Sequence, residues 1–371
     1  MKIGSRQIGA AAPVYIIAEL GVNHDGSLAR ALQMTDAAAE AGADAIKLQL
    51  FRADLLMSRA SRLASYQAQA GESDPFAMLR RLELSLGDMG RIVDRAHARG
   101  IHAIVTPFST ELIDAAERLG FDAYKTASPD IIHKPLLGRL IATGKPFIVS
   151  TGASSFDEVQ RASHWLTPAH DRTALLQCVS SYPTPPQDAN IRAILALARI
   201  FPGPIGYSDH TTAVDTGALA AAHGAAILEK HFTHSKTAQG PDHSASLEPA
   251  EFRAYASLAR DESAMREWMG GAGPPGRPSE DPRLGPEEKH ILPCELDVRR
   301  LSRQSIVTRY ALPAGHTLTA ADLTIKRPGT GLEPWRLPEL PGRRLRQPAE
   351  ADTPITSSHI EGYESSSGEA A

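Results

Sequence analysis

Only two cysteines, Cys178 and Cys294, occur in 371 residues. That is too few for a disulfide framework, which excludes a small stapled secreted scaffold and points to a reducing cytoplasm. No apolar run reaches the roughly 20 residues a membrane-spanning helix needs, and the N-terminus shows no signal-peptide core. Positive charge is not in excess either. Lys and Arg number 39 against 43 Asp and Glu, a formal net charge of −4, so the basic footprint of a nucleic-acid binder is missing. What these absences leave is a soluble, cytoplasmic, globular chain. It is long enough for one large domain and a small one, at about 100–200 residues per domain.

What is present, up to residue 269, is an alternation of β-rich apolar runs with alanine-rich stretches of helical period. The runs are Tyr15–Leu20, Ala45–Phe51, His102–Phe108, Ala123–Ser128, Pro146–Gly152, Ala174–Tyr182, Ile205–Thr211 and Ala226–Thr233. Gly42, Gly100 and Gly120 stand as helix stops before three of them. Eight βα units in this length predict a (β/α)8 TIM barrel, with its site at the C-terminal strand ends. A doubly wound open sheet is the alternative. It would ordinarily carry a Gly-rich phosphate turn after its first strand, and Gly21–Gly26 (GVNHDG) is not one. The long polar stretch Arg52–Asp74, with Tyr66 and Gln67 inside it, reads either as an extended loop over the barrel mouth or as a solvated insertion.

Composition changes at Gly270. Residues 270–300 are rich in Gly, Pro and charge and read as a linker. Residues 301–361 read as a small β-rich domain, in which Leu312–Gly315 and Ala349–Asp352 are two similar turns. Residues 362–371 are polar and read as a disordered tail.

Because alternate strand residues share a face, a barrel would gather a specific set at its mouth. Glu19 ends the first strand, followed by Asn23 and His24, and Lys47 and Gln49 point inward from the second. Thr106, Lys125 with Ser128, Ser150, Ser180 with Tyr182, Ser208 with His210, and Glu229 with His231 follow in turn. Two lysines among hydroxyls make an anion site suited to a phosphate, although any single strand lysine is as readily a snorkelling or glutamate-paired one. Two imidazoles at neighbouring strand ends can share a divalent metal, or can simply hydrogen-bond locally. Together the groups suggest carbon–carbon bond formation from a phosphorylated three-carbon donor. The metal would act as Lewis acid and Glu19 would move a proton at the acceptor hydroxyl.

Several motifs, in order along the chain, resemble the sialic acid synthase family: YIIAELGVNHDGS, AGADAIKLQLF, TPFS, LLQCVSSYPTP, GYSDHT, EKHFT and GPDHSASLEP. The stretch SIVTRYALPAGHTLTAADLTIKRPGTG resembles that family's antifreeze-protein-like SAF domain. The resemblance implies a TIM barrel followed by a SAF domain, and condensation of phosphoenolpyruvate with an N-acetylmannosamine-type sugar to a nine-carbon 2-keto acid, with release of phosphate. It implies Mn2+ (or Mg2+ or Co2+) on His210 and His231, and phosphoenolpyruvate on Lys47, Thr106, Lys125, Ser128, Ser150, Ser180 and Ser208. Catalytic roles fall to Glu19, Lys47, Lys125 and Asp130. Sugar contacts fall to Gln49, Tyr182, Asp242 and Arg327, the last reaching over a partner's barrel in a domain-swapped homodimer.

Three departures stand out. Ser128-Pro129-Asp130 replaces the family's Ser-Gly-Glu turn, so Asp130 reaches less far. Leu50 replaces a threonine, which on this reading removes a hydroxyl near the mouth. The linker is longer and richer in proline. A legionaminate or pseudaminate synthase of the same family is the alternative, with GVNH and GPDH on the neuraminate/legionaminate side. Another 2-keto-3-deoxy sugar acid synthase, such as one making a heptulosonate phosphate, is disfavoured by the SAF-like tail.

Overall fold

The computed structural model describes residues 1–261 and 281–363. Residues 262–269 of the expected barrel domain, 270–280 of the expected linker and 364–371 of the expected tail lie outside the described residues. A short antiparallel hairpin, β1 (Lys2–Ile3) and β2 (Arg6–Gln7), precedes the main sheet. The main sheet has eight strands: β3 (Tyr15–Gly21), β4 (Ala45–Leu50), β5 (His102–Pro107), β6 (Ala123–Thr126), β7 (Phe147–Ser150), β8 (Thr173–Cys178), β9 (Ile205–Asp209) and β10 (Ile227–His231). Each pairs with the next in parallel and β10 closes on β3, with His231 opposite Glu19. The closed ring is the expected TIM barrel and removes the open-sheet alternative.

Strand parity divides the residues as the periodicity predicts. Ile16, Ala18, Ile46, Leu48, Val105, Val149 and Leu228 face outward into one core shared with the helices. Tyr15, Ile17, Ala45, Ile104, Ala123, Ile148, Leu176 and Ile227 face inward, and Ile3 and Ile8 of the hairpin plug the barrel floor against them. Gly42, Gly100 and Gly120 do end helices, at φ of 92°, 74° and 79°. Leu50 has the outward parity and sits in the helix-layer core. Its replacement of threonine therefore does not change the mouth, contrary to the expectation.

Two stretches expected to be loose are packed. Arg52–Asp74 contains the short helices Ala53–Leu56 and Ser65–Gln69 and leads into the helix Pro75–Leu82. Ala53, Leu56, Met57, Met78, Leu79 and Leu82 form a cluster of their own with Val22, Phe51 and Phe108, so this insertion is not merely solvated. Residues 281–300 run along the barrel. Ile191 N–H donates to Arg283 O (3.0 Å) and Arg192 N–H to Leu284 O (2.8 Å). Lys289 Nζ donates to Cys178 O (3.2 Å), and the helix Leu296–Ser302 follows.

The C-terminal domain pairs β11 (Ser305–Thr308) with β12 (Leu323–Lys326) in antiparallel register around Ile306, Leu318, Leu345, Ile355 and Ile360. Its two similar turns lie against each other. Leu312 N–H donates to Ala349 O (2.8 Å) and Ala349 N–H to Leu312 O (2.9 Å). No described helix is long and apolar enough to cross a membrane.

Candidate active site

Above the apolar inward layers the same parity turns polar, because each strand's next inward residue is a charged or hydroxylic one. Glu19 follows Ile17, Lys47 follows Ala45, Thr106 follows Ile104, Lys125 follows Ala123, and Glu229 follows Ile227. Lys47 Nζ lies 2.7 Å from Glu19 Oε2 and donates to Thr106 Oγ1 (3.2 Å). Lys125 Nζ lies 2.9 Å from Glu229 Oε1, which also accepts from Ser208 Oγ (2.9 Å). Gln49 Nε2 donates to Glu19 Oε1 (2.9 Å). Desolvation pushes Glu19 up from the ordinary carboxylate range, despite the Lys47 charge beside it, and the Glu229 charge adds to the rise. Burial acts on Glu229 in the same sense, but Lys125 and Lys47 outweigh it and hold that carboxyl down at about 2. Two buried carboxylates are thereby driven apart, one toward carrying a proton and one fixed as an anion.

The rings of His210 and His231 lie 5.4 Å apart between centroids, with Tyr182 4.2 Å from His210. His210 Nδ1–H must donate to Val179 O (2.7 Å), since a carbonyl only accepts, which leaves Nε2 as the free lone pair. Burial, and then the charges of His210 and Lys47, lower the pKa of His231 well below the ordinary value, and its Nδ1 is buried without a hydrogen-bond partner. A neutral imidazole with an orphaned nitrogen beside a tautomer-fixed one fits a shared metal. Among the described residues no third His, Cys, Asp or Glu completes a protein-only cluster. The remaining positions would therefore be open to water or substrate oxygens.

These groups line one cavity of about 930 Å³, measured with its open mouth. Glu19, Lys47, Gln49, Thr106, Lys125, Ser128, Ser180, Tyr182, Ser208, His210, His231, Asp242 and Arg327 all face it. Asp242 is pushed up to about 6 by burial and the neighbouring Glu19 charge. Ser150 lies outside the wall, fully buried with its hydroxyl unpartnered.

Asp130 is also off the wall. In the 3-10 turn Ser128–Ile132 its short side chain folds back, Oδ2 accepting from Ala127 N–H (3.2 Å) and Oδ1 from Gln304 Nε2 (3.1 Å). The structure thus gives it no direct place at the reacting groups.

Within this chain Arg327 reaches the mouth of its own barrel. Arg327 N–H donates to Leu56 O (2.8 Å), Ser58 N–H to Arg327 O (3.1 Å), and the guanidinium carbon lies 5.4 Å from the Phe108 ring centroid. The segment 281–300, bonded along the barrel at Arg283, Leu284 and Lys289, precedes it.

Four residues of interest carried no expected role. Glu229, expected at the mouth beside His231, pairs with Lys125. Tyr66, whose ring lies 5.1 Å from that of Tyr182, comes from the mouth loop. Gln304 and Glu295 approach from the C-terminal side with no local sequence signal.

Fold and site together define a barrel synthase: lysines and hydroxyls for an anionic donor, two imidazoles, and a raised carboxyl for proton transfer. A model described as the NeuB family matches residues 34–270, and one for the SAF domain matches residues 303–361. The chain belongs to the NeuB family and is an enzyme of its phosphoenolpyruvate-dependent sugar-acid synthase type, as the sequence resemblance implied. It is 36% identical over 365 residues to N,N'-diacetyllegionaminic acid synthase of Legionella pneumophila, covering 96% of this chain and 98% of that one. It is 31% identical over 361 residues to N-acetylneuraminate-9-phosphate synthase of Mus musculus, covering 96% of each. The crystal structure of the spore coat polysaccharide biosynthesis protein spsE of Bacillus subtilis superposes with a TM-score of 0.82 at 30% identity, covering 97% of this chain and 98% of that one.

Proposed function

We propose that this enzyme condenses phosphoenolpyruvate with an unphosphorylated, N-acylated amino sugar to a nine-carbon 2-keto acid. The observation that carries the choice of acceptor is the two-sided cavity. One side presents Lys47, Lys125 and the hydroxyls. Another wall is apolar, made by Val22, Phe51, Leu56, Met78, Leu79, Leu82 and Phe108. A phosphate on the acceptor would be desolvated against that wall, whereas methyl and acyl groups would bury apolar surface there at about 25 cal/mol per Å². The wall therefore favours a deoxy sugar with a second acylamino group, as in legionaminate-type acids, over plain N-acetylmannosamine, and disfavours a sugar phosphate.

In this reading Lys47 and Lys125 release part of their pairing with Glu19 and Glu229 to hold the donor's phosphate and carboxylate, with Thr106, Ser128, Ser180 and Ser208 donating hydrogen bonds. Donor C3 attacks the acceptor's aldehyde carbon, water adds at donor C2, and phosphate leaves with its bridging oxygen by C–O cleavage. Glu19, a carboxyl that burial pushes toward holding a proton, delivers one to the aldehyde oxygen as it becomes a hydroxyl. Gln49, Tyr182, Asp242 and Arg327 orient the acceptor. A divalent ion, Mn2+ by resemblance, would be held by His210 and His231 and would supply Lewis-acid polarisation of the aldehyde.

The test is phosphate release from phosphoenolpyruvate with three acceptors: N-acetylmannosamine, its 6-phosphate, and 2,4-diacetamido-2,4,6-trideoxymannose. The expected order of kcat/KM puts the trideoxy sugar first and the 6-phosphate last. Preference for the 6-phosphate would refute the apolar-wall argument. Inactivity with every acylated amino sugar would refute the function.

A further inference from the structure

The residues read as the donor site all lie in the barrel, yet a loop that carries one of them and the loop packed beside it are held together from outside it. Glu295, just before the helix Leu296–Ser302, is completely buried and is paired with no Lys or Arg among the described ion pairs. Its Oε1 accepts from Ala153 N–H (2.6 Å), in the loop after β7, and from Ser180 N–H (2.8 Å), in the loop after β8. Its Oε2 accepts from Leu292 N–H (3.0 Å), which fixes the rotamer. One carboxylate oxygen thus sets the separation of two loops.

The β8 loop carries the donor-site hydroxyl of Ser180, and the β7 loop packs its backbone against that hydroxyl and against Ser128 in the loop after β6. A Cβ on Gly152 would lie 2.3 Å from Ser180 Oγ and 2.7 Å from Ser128 Oγ, so the backbone there approaches as only glycine allows. The next residue, Ala153, has a left-handed φ of 51°, a conformation that non-glycine residues adopt only when held. It is held at both ends. Its N–H is taken by Glu295, and its carbonyl accepts from Arg299 Nη1 (2.7 Å) and Arg303 Nη2 (3.1 Å). Lys289 Nζ adds a third attachment, at Cys178 O, inside the strand end that leads to Ser180.

We infer that Glu295 is a positioning residue for the phosphoenolpyruvate end of the site, through which the segment entering the C-terminal domain completes the donor cradle of its own barrel. This rests on the reading of Lys47, Lys125 and the hydroxyls as the donor site. Replacing Glu295 leaves two buried N–H groups without acceptors and frees the Gly152–Ala153 turn, so the Ser128 and Ser180 hydroxyls lose their spacing. Of the acceptor contacts, Gln49 on β4, Asp242 and Arg327 lie elsewhere, and Tyr182, in the same loop as Ser180, is held separately by its ring contacts with His210 and Tyr66.

The experiment measures phosphoenolpyruvate affinity directly by calorimetry in Mn2+, and KM for each substrate, in full-length wild type, E295Q, E295D and E295A. The glutamine keeps an acceptor oxygen in place, while the aspartate keeps the charge but is one methylene too short to meet both N–H groups. E295A and E295D are expected to weaken donor binding about tenfold or more, because displaced binding groups lose their alignment. E295Q should stay within about threefold of wild type, and the acceptor KM within about twofold in every variant, since Gln49, Asp242 and Arg327 lie outside the tied loops and the Tyr182 ring keeps its contacts with His210 and Tyr66. If E295A does not fold, E295D and E295Q carry the comparison. Equal donor affinity in E295D and wild type, or a parallel rise in both KM values, would overturn the positioning role. Wild type that binds no phosphoenolpyruvate would instead overturn the donor-site reading, and this inference with it.

Discussion

Lys125 on β6 and Glu229 on β10 meet across the barrel, Nζ 2.9 Å from Oε1, from strands that stand diametrically opposite in the closed ring. Burial works against the charge on Lys125, but Glu229 more than compensates and raises its pKa above the ordinary lysine value. The pair keeps an ammonium charged in the interior before any substrate arrives.

Breaking that pair from one side is expected to be costly. Lys125→Met should lose about 3–5 kcal/mol of stability, because Glu229 is left as a buried unpaired charge. It should also raise the KM for phosphoenolpyruvate more than tenfold, the loss of a charge-assisted contact worth about 1.5–3 kcal/mol. Adding Glu229→Gln should restore most of the stability and none of the donor affinity. Denaturant melts and kinetics on the single and double variants check both halves. A double variant no more stable than Lys125→Met would contradict the pairing argument.

Metal dependence follows from the two imidazoles. Exhaustive chelation should abolish phosphate release, and Mn2+, Co2+ or Mg2+ should restore it. His210→Ala/His231→Ala should not respond to added metal and should bind no Mn2+ in an equilibrium titration. Full turnover by the chelated enzyme would remove the assignment.

The contact of Arg327 with the barrel of its own chain makes a complementation prediction. Arg327→Ala and Lys47→Ala, each inactive alone, should regain nothing when co-expressed with two tags and purified together, since every site keeps one lesion. Recovery of about half the wild-type activity would mean that the caps are exchanged between subunits.

The junction of barrel and C-terminal domain should govern acid stability. Burial raises the pKa of Glu158, but hydrogen bonds from Arg303 and Arg299 reverse this and hold it well below the usual carboxylate range. A depressed carboxyl contributes stability that is fully present above its unfolded pKa, about 4.3, and lost as pH falls toward the folded value. Thermal melts should therefore fall steeply below about pH 4 in wild type, and less so in Glu158→Gln. The variant should also be less stable at pH 7 by about 3–5 kcal/mol, with two arginines left uncompensated. An unchanged acid limb would show that Glu158 contributes little.

The strands were legible because a barrel strand is buried on both faces and so reads as a short apolar run, and because period-two parity assigns each residue a side. That is why Lys47, Gln49, Thr106, Lys125, His210 and His231 could be placed at the mouth before any coordinates. Strand ends were less legible. The runs were drawn through Ser128, Gly152 and Tyr182, whereas β6, β7 and β8 stop at Thr126, Ser150 and Cys178. The chain stays largely buried after the ladder hydrogen bonds end.

By itself, then, the sequence determined the barrel, the inward charged set and the existence of a second β-rich domain. These follow from local periodicity and from composition along consecutive residues. Tertiary structure alone decided that Asp130 turns onto Gln304, that Leu50 faces the helices, that Arg327 enters its own barrel, and that Glu295 joins two loops more than a hundred residues away. Each depends on where a charged or polar atom finds a partner once the chain has closed on itself. A Gly/Pro-rich composition predicts the absence of a core, but not that lysine, glutamate and arginine side chains will anchor the segment to backbone groups the barrel leaves unsatisfied.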